Sequence, residues 1–164
     1  MVDKTNPDFE TGCCKRFDPK PWDDKTISFG DKLFVKRRVV TAFHIPITMD
    51  QVMKDAMEKI TAAGALAETP IMLYDDCSLF GADIYIHVSK PVPGEKLAKF
   101  KGSFLSKVFE GDYSQTGNWV KAMEAYVAKK GKSIQKLYFF YTMCPACAKA
   151  YGQNYTVLLA KAEP

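Results

Sequence analysis

The sequence lacks several features that would place it in a well-marked class of protein. No stretch approaches the roughly 20 consecutive apolar residues that a membrane-spanning helix needs. The N-terminus has no apolar run of the kind found in a signal peptide, so we expect a cytoplasmic protein with no membrane partner. There is also no glycine-rich phosphate loop and no G-x-S-x-G nucleophile elbow. The sequence therefore assigns no catalytic residue.

A strong excess of one charge is also lacking. The chain has 23 basic and 19 acidic residues, which gives a net charge of +4. Basic residues gather at Lys36-Arg37-Arg38 and at residues 129–132, but acidic residues are interleaved elsewhere. A nucleic-acid-binding domain of this size usually carries a more one-sided basic stripe. We therefore expect no nucleic-acid partner and assign both clusters to solvated strand and helix ends.

The cysteines supply only half of a recognisable metal motif. Cys144-Pro145-Ala146-Cys147 is a C-x-x-C, a pattern shared by redox dithiols and half zinc sites. A structural zinc needs four ligands, and a second C-x-x-C is missing, although Cys13 and Cys14 could contribute if the N-terminal segment crosses the closing hairpin. We expect no metal and no cofactor. A reduced thiol pair, a zinc site and a regulatory disulfide stay open for these four cysteines.

What the chain does have is an internal repeat. Residues 43–74 predict a strand end, a turn, an amphipathic helix closed by Gly64 and a new strand. Thr48-Met49-Asp50-Gln51 matches the capping box that opens a helix, and the new strand is expected to end in a turn containing Asp75 and Asp76. Residues 109–141 predict the same order, with Gly131 closing the helix, so the two glycines lie 67 positions apart. The two helices also share a tripeptide, Ala56-Met57-Glu58 and Ala122-Met123-Glu124.

Each copy of the repeat predicts one β-α-β-β module. With 164 residues, of which 47% are hydrophobic, the chain is long enough for one domain with a substantial core. We predict an α+β fold of tandem β-α-β-β modules with pseudo-twofold symmetry, in which an antiparallel sheet carries the helices on one face and a ligand cleft on the other. The predicted divisions are an irregular segment 1–31, a first module 32–90, a joint 91–97 and a second module 98–164.

Strand alternation predicts an aromatic sheet face. Phe139 and Tyr141 share one face of their strand, and the repeat matches Tyr74 to Tyr141. Rings with a few polar groups among them are typical of small-molecule sites. A second interpretation is that these rings form another hydrophobic core under the N-terminal segment. The predicted face contains Met72, Tyr74, Asp83, Tyr85, His87, Phe139 and Tyr141.

Several segments resemble a known group of proteins. Residues 109–113 (FEGDY), followed by Trp119 and Gly131, resemble the second-module signature of the GyrI-like (gyrase-inhibitor-like) small-molecule-binding superfamily. The strand that ends in Tyr74 and the segment 83–88 resemble the first-module counterpart. The resemblance covers about residues 33–162. Three further segments resemble a stand-alone bacterial subfamily often labelled "hydrolase": residues 14–22, 43–46 and 141–147.

The resemblance implies a cleft between the modules that binds bulky, aromatic, often cationic compounds. Hydrophobic aromatic small molecules are therefore the expected partners. Some stand-alone relatives are hydrolases that open the strained cyclopropane of alkylating natural products with aromatic residues and a glutamate. The residues expected to bind the ligand are Tyr74, Asp83, Tyr85, Tyr113, Trp119, Phe139 and Tyr141.

This chain departs from the resemblance in two ways. No helix-turn-helix segment precedes the body, which argues against a complete transcription regulator. The buried glutamate of many relatives is replaced, with Phe139 at the nearest matching position, so Asp83, Glu110 or another acid would have to substitute. The leading hypothesis is a small-molecule-binding protein. The alternatives are a hydrolase acting in the same cleft and a thiol- or zinc-dependent regulatory module, and the oligomeric state stays unknown.

Overall fold

The structure is a computed structural model that describes residues 17–68, 71–142, 149–150, 152 and 154–163. Within these ranges no helix is long and apolar enough to cross a membrane. The strands are β1 (Lys25–Ser28), β2 (Leu33–Ala42), β3 (Ile45–Pro46), β4 (Met72–Ser78), β5 (Gly81–Val88), β6 (Lys96–Ala98), β7 (Ser103–Glu110), β8 (Ser133–Tyr141) and β9 (Tyr155–Glu163). The helices are α1 (Met49–Ala62) and α2 (Thr116–Lys129).

The chain divides into two compact units. The central unit is Ser28–Ser103. The C-terminal unit combines the described residues up to Ile27 with those from Phe104 onward. The four predicted divisions of the chain stay predictions.

The central unit follows the predicted β-α-β-β order with β2, α1, β4 and β5. Its strands lie in the order β4-β5-β2-β3, and β6 also pairs with β2. All of these pairings are antiparallel. Alternation along β5 buries Ile84, Ile86 and Val88, as their spacing in the sequence predicts. Ala56 and Ile60 are the buried residues of α1.

The C-terminal unit repeats this topology with β7, α2, β8 and β9. In both units the third strand of the module (β5 or β9) lies between the second and the first, and it pairs antiparallel with each of them. Trp119, Met123 and Val127 are the buried residues of α2, as helical spacing predicts. The fold is therefore α+β with a mostly antiparallel, open sheet, which confirms the predicted fold class. The two units have the same order of helices and strands, as the repeat predicts.

Both helices end in the same way. The N–H of Ala65 donates to the carbonyl of Ile60, and the N–H of Lys132 donates to the carbonyl of Val127. The intervening residues, Gly64 and Gly131, have φ of +64° and +72°. This six-to-one hydrogen bond needs a left-handed residue, which glycine adopts without a steric penalty. The repeated glycines therefore mark the same local structure in each module.

The described part of the N-terminal segment packs onto the C-terminal unit. The rings of Phe17 and Trp22 lie 6.0 and 5.2 Å from the ring of Phe140. Asp23 Oδ1 accepts a hydrogen bond from the Val108 N–H, and Asp24 Oδ1 accepts one from the Tyr126 hydroxyl. Phe17 and Trp22 therefore attach this segment to the unit.

The start of α1 differs from the prediction. Thr48 occupies the N-cap position, but its side chain makes no capping hydrogen bond. Its Oγ1 instead accepts a hydrogen bond from the Val40 N–H at 2.9 Å. The capping-box pattern therefore located the helix start correctly, while the hydroxyl connects the helix to β2.

Candidate functional site

The predicted site residues of the central unit do not share one face. In the β4–β5 pairing, Tyr74 lies opposite Ile84, and Asp83 lies opposite Asp75. Opposed residues of an antiparallel pair project to the same side, so Tyr74 lies on one face and Asp83, with Tyr85, lies on the other. The prediction that Tyr74 shares a face with Asp83 and Tyr85 is therefore wrong. The β4–β5 register differs from the predicted one by one residue. The predicted turn at Asp75-Asp76 is in fact strand, and β4 continues to Ser78.

Asp83 is held within a compact charged cluster. Arg38 Nη1 lies 3.2 Å from its Oδ1, and Lys36 Nζ lies 3.7 Å from its Oδ2. Burial alone would raise the pKa of Asp83, but hydrogen bonds from Cys77 and Arg38 and the charge of Lys36 lower it below its usual value. The guanidinium lies against Gly81, where an added Cβ would clash with Arg38 Nη2. The carboxylate is therefore ionised and already neutralised.

The same cluster contains three groups of metal-ligating type. Ligand atoms of Asp75, Cys77 and Asp83 lie within 4.8 Å of one another. Burial, followed by the hydrogen bond to Asp83, raises the pKa of the Cys77 thiol, which disfavours the thiolate that a metal binds. With Arg38 bonded to Asp83 as well, the cluster is better suited to an ion pair than to a metal. Cys13, Cys14, Cys144 and Cys147, on which the zinc and disulfide alternatives depend, lie outside the described residues.

Tyr85 belongs to an aromatic cluster of the central unit. Its ring lies 4.9 Å from that of Phe100, which is also 4.9 Å from Phe34. His87 lies 5.5 Å from Phe34. Tyr85, Phe34 and Phe100 are all buried, and Lys36 Nζ lies 5.8 Å from the Tyr85 ring centre. These contacts place Tyr85 in a core of the central unit.

The other four predicted residues lie in the C-terminal unit, in two sets of ring contacts. Phe139 and Tyr141 stack with ring centres 6.1 Å apart, and Tyr113 meets Tyr141 edge-on at 5.5 Å. Trp119 stacks with Phe109 at 6.0 Å. We call these five side chains the ring group. Trp119 and Phe139 are buried, whereas Phe109, Tyr113 and Tyr141 are partly exposed. The ring group therefore contains two buried rings, which are held in place, and three partly exposed rings, which a ligand can contact.

The ring group lies on the α2 side of its strands. Phe109 and Tyr141 are both opposed to Thr156 of β9, so the three residues share one face. Because Trp119 of α2 stacks on Phe109, this face is the one that α2 covers. The cleft predicted from the sequence was instead on the side away from the helices.

Two buried polar atoms near the ring group have no hydrogen-bond partner among the described residues. Thr156 is fully buried between Phe109 and Tyr141, and its Oγ1 is unpaired. Asn154 donates from Nδ2 to the Gly111 carbonyl at 2.7 Å, while its buried Oδ1 is unpaired. Sequence reasoning missed both residues. A single threonine at the start of the apolar strand 155–160 was the signal that could have found Thr156.

Two acidic residues lie close to the ring group in the sequence, Glu110 at the end of β7 and Asp112 in the turn that follows. Glu110 lies opposite Tyr155, one residue out of phase with Phe109, so it projects to the other side of the sheet. Asp112 Oδ1 accepts a hydrogen bond from the Ser114 N–H at 2.8 Å, which holds the pKa of Asp112 below its usual value. Asp112 therefore stabilises the turn that presents Tyr113. A shallow depression on α1, lined by residues 54–62, contains none of the predicted site residues.

The fold resembles two solved structures. "Crystal structure of EcmrR C-terminal domain" superposes with a TM-score of 0.67 at 11% identity, covering 87% of this chain and 98% of that one. "Crystal structure of an uncharacterized conserved protein from Listeria innocua" gives 0.64 at 11% identity, covering 99% and 100%. At this identity the likeness concerns the fold alone, and it is consistent with the GyrI-like fold predicted from the sequence. No curated protein sequence matches the chain.

A family model gives the sequence-level relationship. The model described as "Bacterial hydrolase" matches residues 4–162, which include all seven predicted binding residues and both modules. Because the match extends over nearly the whole sequence, the chain belongs to the bacterial hydrolase family.

Proposed function

We propose that this protein binds a lipophilic, aromatic small molecule on the ring group of its C-terminal unit. The observation that carries the proposal is the partly exposed aromatic edge formed by Tyr113 and Tyr141 next to the buried, unpaired hydroxyl of Thr156. Small-molecule sites combine such apolar walls with a few fixed polar atoms.

The rings supply affinity by stacking and by removal of apolar surface from water. Phe139 behind Tyr141, and Trp119 behind Phe109, hold the accessible rings in fixed positions. A ligand therefore meets a surface whose side chains are already ordered, which lowers the entropic cost of binding. This arrangement favours a flat aromatic compound over a flexible aliphatic one.

The polar atoms indicate that the ligand also carries a hydrogen-bonding group. Asn154 Oδ1 can only accept, and Thr156 Oγ1 can donate or accept. Buried groups of this kind are nearly always paired in a protein's working state, with protein, water or ligand. Because both oxygens are buried, a ligand with an N–H or O–H beside its aromatic ring would pair with one of them after a small shift of a neighbouring side chain.

The ion pairs of Asp83 argue against its expected role in recognising a cationic ligand. The resemblance implies ligands that are often cationic, with Asp83 as the acid nearest to them. Arg38 and Lys36 already neutralise this carboxylate. We therefore propose that ring faces, and not Asp83, interact with any positive charge on the ligand. Ligand binding by Tyr74, Asp83 and Tyr85, in the expected cleft between the modules, stays a prediction.

Hydrolysis of a reactive electrophile is the second candidate function, and the family description favours it. Such a reaction needs an acid or base beside the bound substrate to activate water. Glu110 projects to the other side of the sheet, and Asp112 stabilises a turn. The ring group face thus has no placed carboxylate among the described strand residues, and binding without turnover is the better-supported function. A thiol- or zinc-dependent role rests on the four cysteines outside the described residues.

Fluorescence titration with a lipophilic dye tests the proposal. A neutral and a cationic dye of similar size should both bind saturably with a stoichiometry of one, and mass spectrometry should recover each dye unchanged. Absence of saturable binding by either dye would refute the binding function. Recovery of a strained electrophile with one added water would instead identify the protein as a hydrolase.

A further inference from the structure

The central unit exposes a concentrated apolar surface where two turns meet. Phe43, at the β2–β3 turn, is 72% exposed, and Phe80, at the β4–β5 turn, is 62% exposed. Their ring centres are 5.8 Å apart. We call this surface the apolar tip. Its members are Val40, Phe43, Ile45, Ile47, Leu79 and Phe80, and each is between 45% and 72% exposed.

The two turns are fixed to each other by hydrogen bonds. The Thr41 N–H donates to the Phe80 carbonyl at 3.2 Å, and the Thr41 hydroxyl donates to the Leu79 carbonyl at 2.9 Å. The His44 N–H also donates to the Leu79 carbonyl, at 3.1 Å, while His44 Nδ1 lies 2.7 Å from Asp76 Oδ2. The exposed side chains therefore project from one ordered surface. Such preorganisation lowers the entropic cost of forming an interface.

The backbone at the tip is strained in a way that the core does not require. Phe43 and His44 have φ of 49° and 68°, and they form the two-residue turn between Ala42 and Ile45. Turns of this shape favour Asn-Gly, because a bulky side chain is disfavoured at positive φ. The phenylalanine at this position gains little burial within the chain. A role at an interface accounts for its presence.

The size of the apolar tip matches one side of a protein interface. Six large side chains, each with roughly half or more of its surface exposed, present on the order of 600 Å². This equals or exceeds the largest apolar patch of a typical monomer, about 300–600 Å². One partner in a standard interface contributes about 800 Å².

The surroundings of the tip favour a second copy of this chain over other occupants. Pro46 lacks the N–H that an added peptide strand would need at the β3 edge. The charged groups near the tip include Asp76 and the exposed Arg38, which are of opposite sign. They create no one-sided basic field for nucleic acid or an anionic membrane. A second copy would present the same apolar area with the same mixed rim.

We propose that two copies of this chain form an isologous dimer through their apolar tips. In a twofold arrangement the same residues contact each other across the axis, so Phe43 and Phe80 of each copy would form the buried centre. This inference does not depend on ligand binding at the ring group.

Sedimentation velocity over a range of protein concentrations tests the dimer. The wild-type chain should sediment with twice the mass of one chain, and Phe43→Asn should weaken the dimer on the order of tenfold or more. Asparagine tolerates positive φ, so this variant removes the ring while easing the turn, and its melting temperature should not fall. Adding Phe80→Ser should leave a monomer throughout the range.

Leu66→Ser serves as the matched control, because Leu66 is 52% exposed but lies outside the apolar tip. This variant should dimerise like the wild type. A wild-type chain that stays monomeric at every concentration would overturn the proposal, as would a dimer that persists in the double variant. Flotation of a monomeric wild type with phosphatidylcholine vesicles, lost in the double variant, would likewise overturn it and assign the tip to lipid.

Discussion

Tyr141 offers the sharpest test of the ring group, because it is partly exposed and joins two ring contacts. Replacing it by alanine removes the stacking with Phe139 and the edge contact with Tyr113. A ligand that covers about a quarter of a ring surface of roughly 200 Å² gains about 1.2 kcal/mol at about 25 cal/mol per Å². Since part of the aromatic geometry is also lost, we expect Tyr141→Ala to weaken dye binding by about 1–2 kcal/mol, roughly 5- to 30-fold.

Tyr138→Ala is the matched control on the same strand. Tyr138 lies opposite Leu159, so it projects to the other face of β8 from Tyr141, and its ring contacts Phe104 at 5.9 Å. Both variants lose a partly buried tyrosine, but only Tyr141→Ala should reduce dye affinity. Fluorescence titrations should be accompanied by urea unfolding, to confirm that each variant is folded. Equal affinities in the two variants would refute the placement of the ligand on the ring group.

Three further predictions concern single side chains. Thr156→Val should stabilise the unliganded protein by about 1 kcal/mol in urea unfolding, because it removes a buried, unpaired hydroxyl at nearly constant volume. Glu95→Ala should lower the free energy of unfolding by about 3 kcal/mol, because it removes the two 2.6 Å hydrogen bonds that Arg37 makes with Glu95. Asp55→Ala removes a half-exposed partner of the same arginine and should lower it by less than about 1 kcal/mol. Burial, with nearby Asp76, raises the pKa of Tyr74 to about 12. The neutral phenol therefore contributes to the free energy of unfolding below the unfolded pKa of about 10, and this contribution is lost as pH rises toward 12. Unfolding at about pH 8 and about pH 11 should show a smaller alkaline loss of stability in Tyr74→Phe than in the wild type.

The chain path was predictable because its signals are local. Apolar spacing and a terminal glycine define each helix, and Gly64 and Gly131 are left-handed in the structure. The same two signals recur at matching places in both modules. Pairing each helix with the strands around it then follows from the need to bury its apolar side.

The position of Tyr74 was not predictable in the same way, because it depends on where β4 ends. Two adjacent aspartates usually indicate a turn, so the sequence predicts that β4 ends before Asp75. Asp75 is instead a buried strand residue, and the tight turn comes later, at Leu79 and Phe80. A shift of one residue exchanges the two faces of a strand, so Tyr74 changes sides relative to Asp83.

The candidate site was predictable in its rings and not in its polar atoms. Alternation in residues 137–141 placed Phe139 and Tyr141 on one side, and the structure joins Tyr113 to them. Thr156 comes beside Tyr141 only through the pairing of β8 with β9. A threonine in the apolar strand 155–160 signals a polar atom, but its contact with Tyr141 depends on the register between two strands, which neither segment shows by itself.

A crystal structure of the protein with a bound lipophilic aromatic dye tests the central claim most directly. The account predicts the dye ring in contact with Tyr113 and Tyr141, with a polar dye atom hydrogen-bonded to Thr156 or Asn154. Dye bound away from all of these residues, with the ring group unchanged, would contradict it.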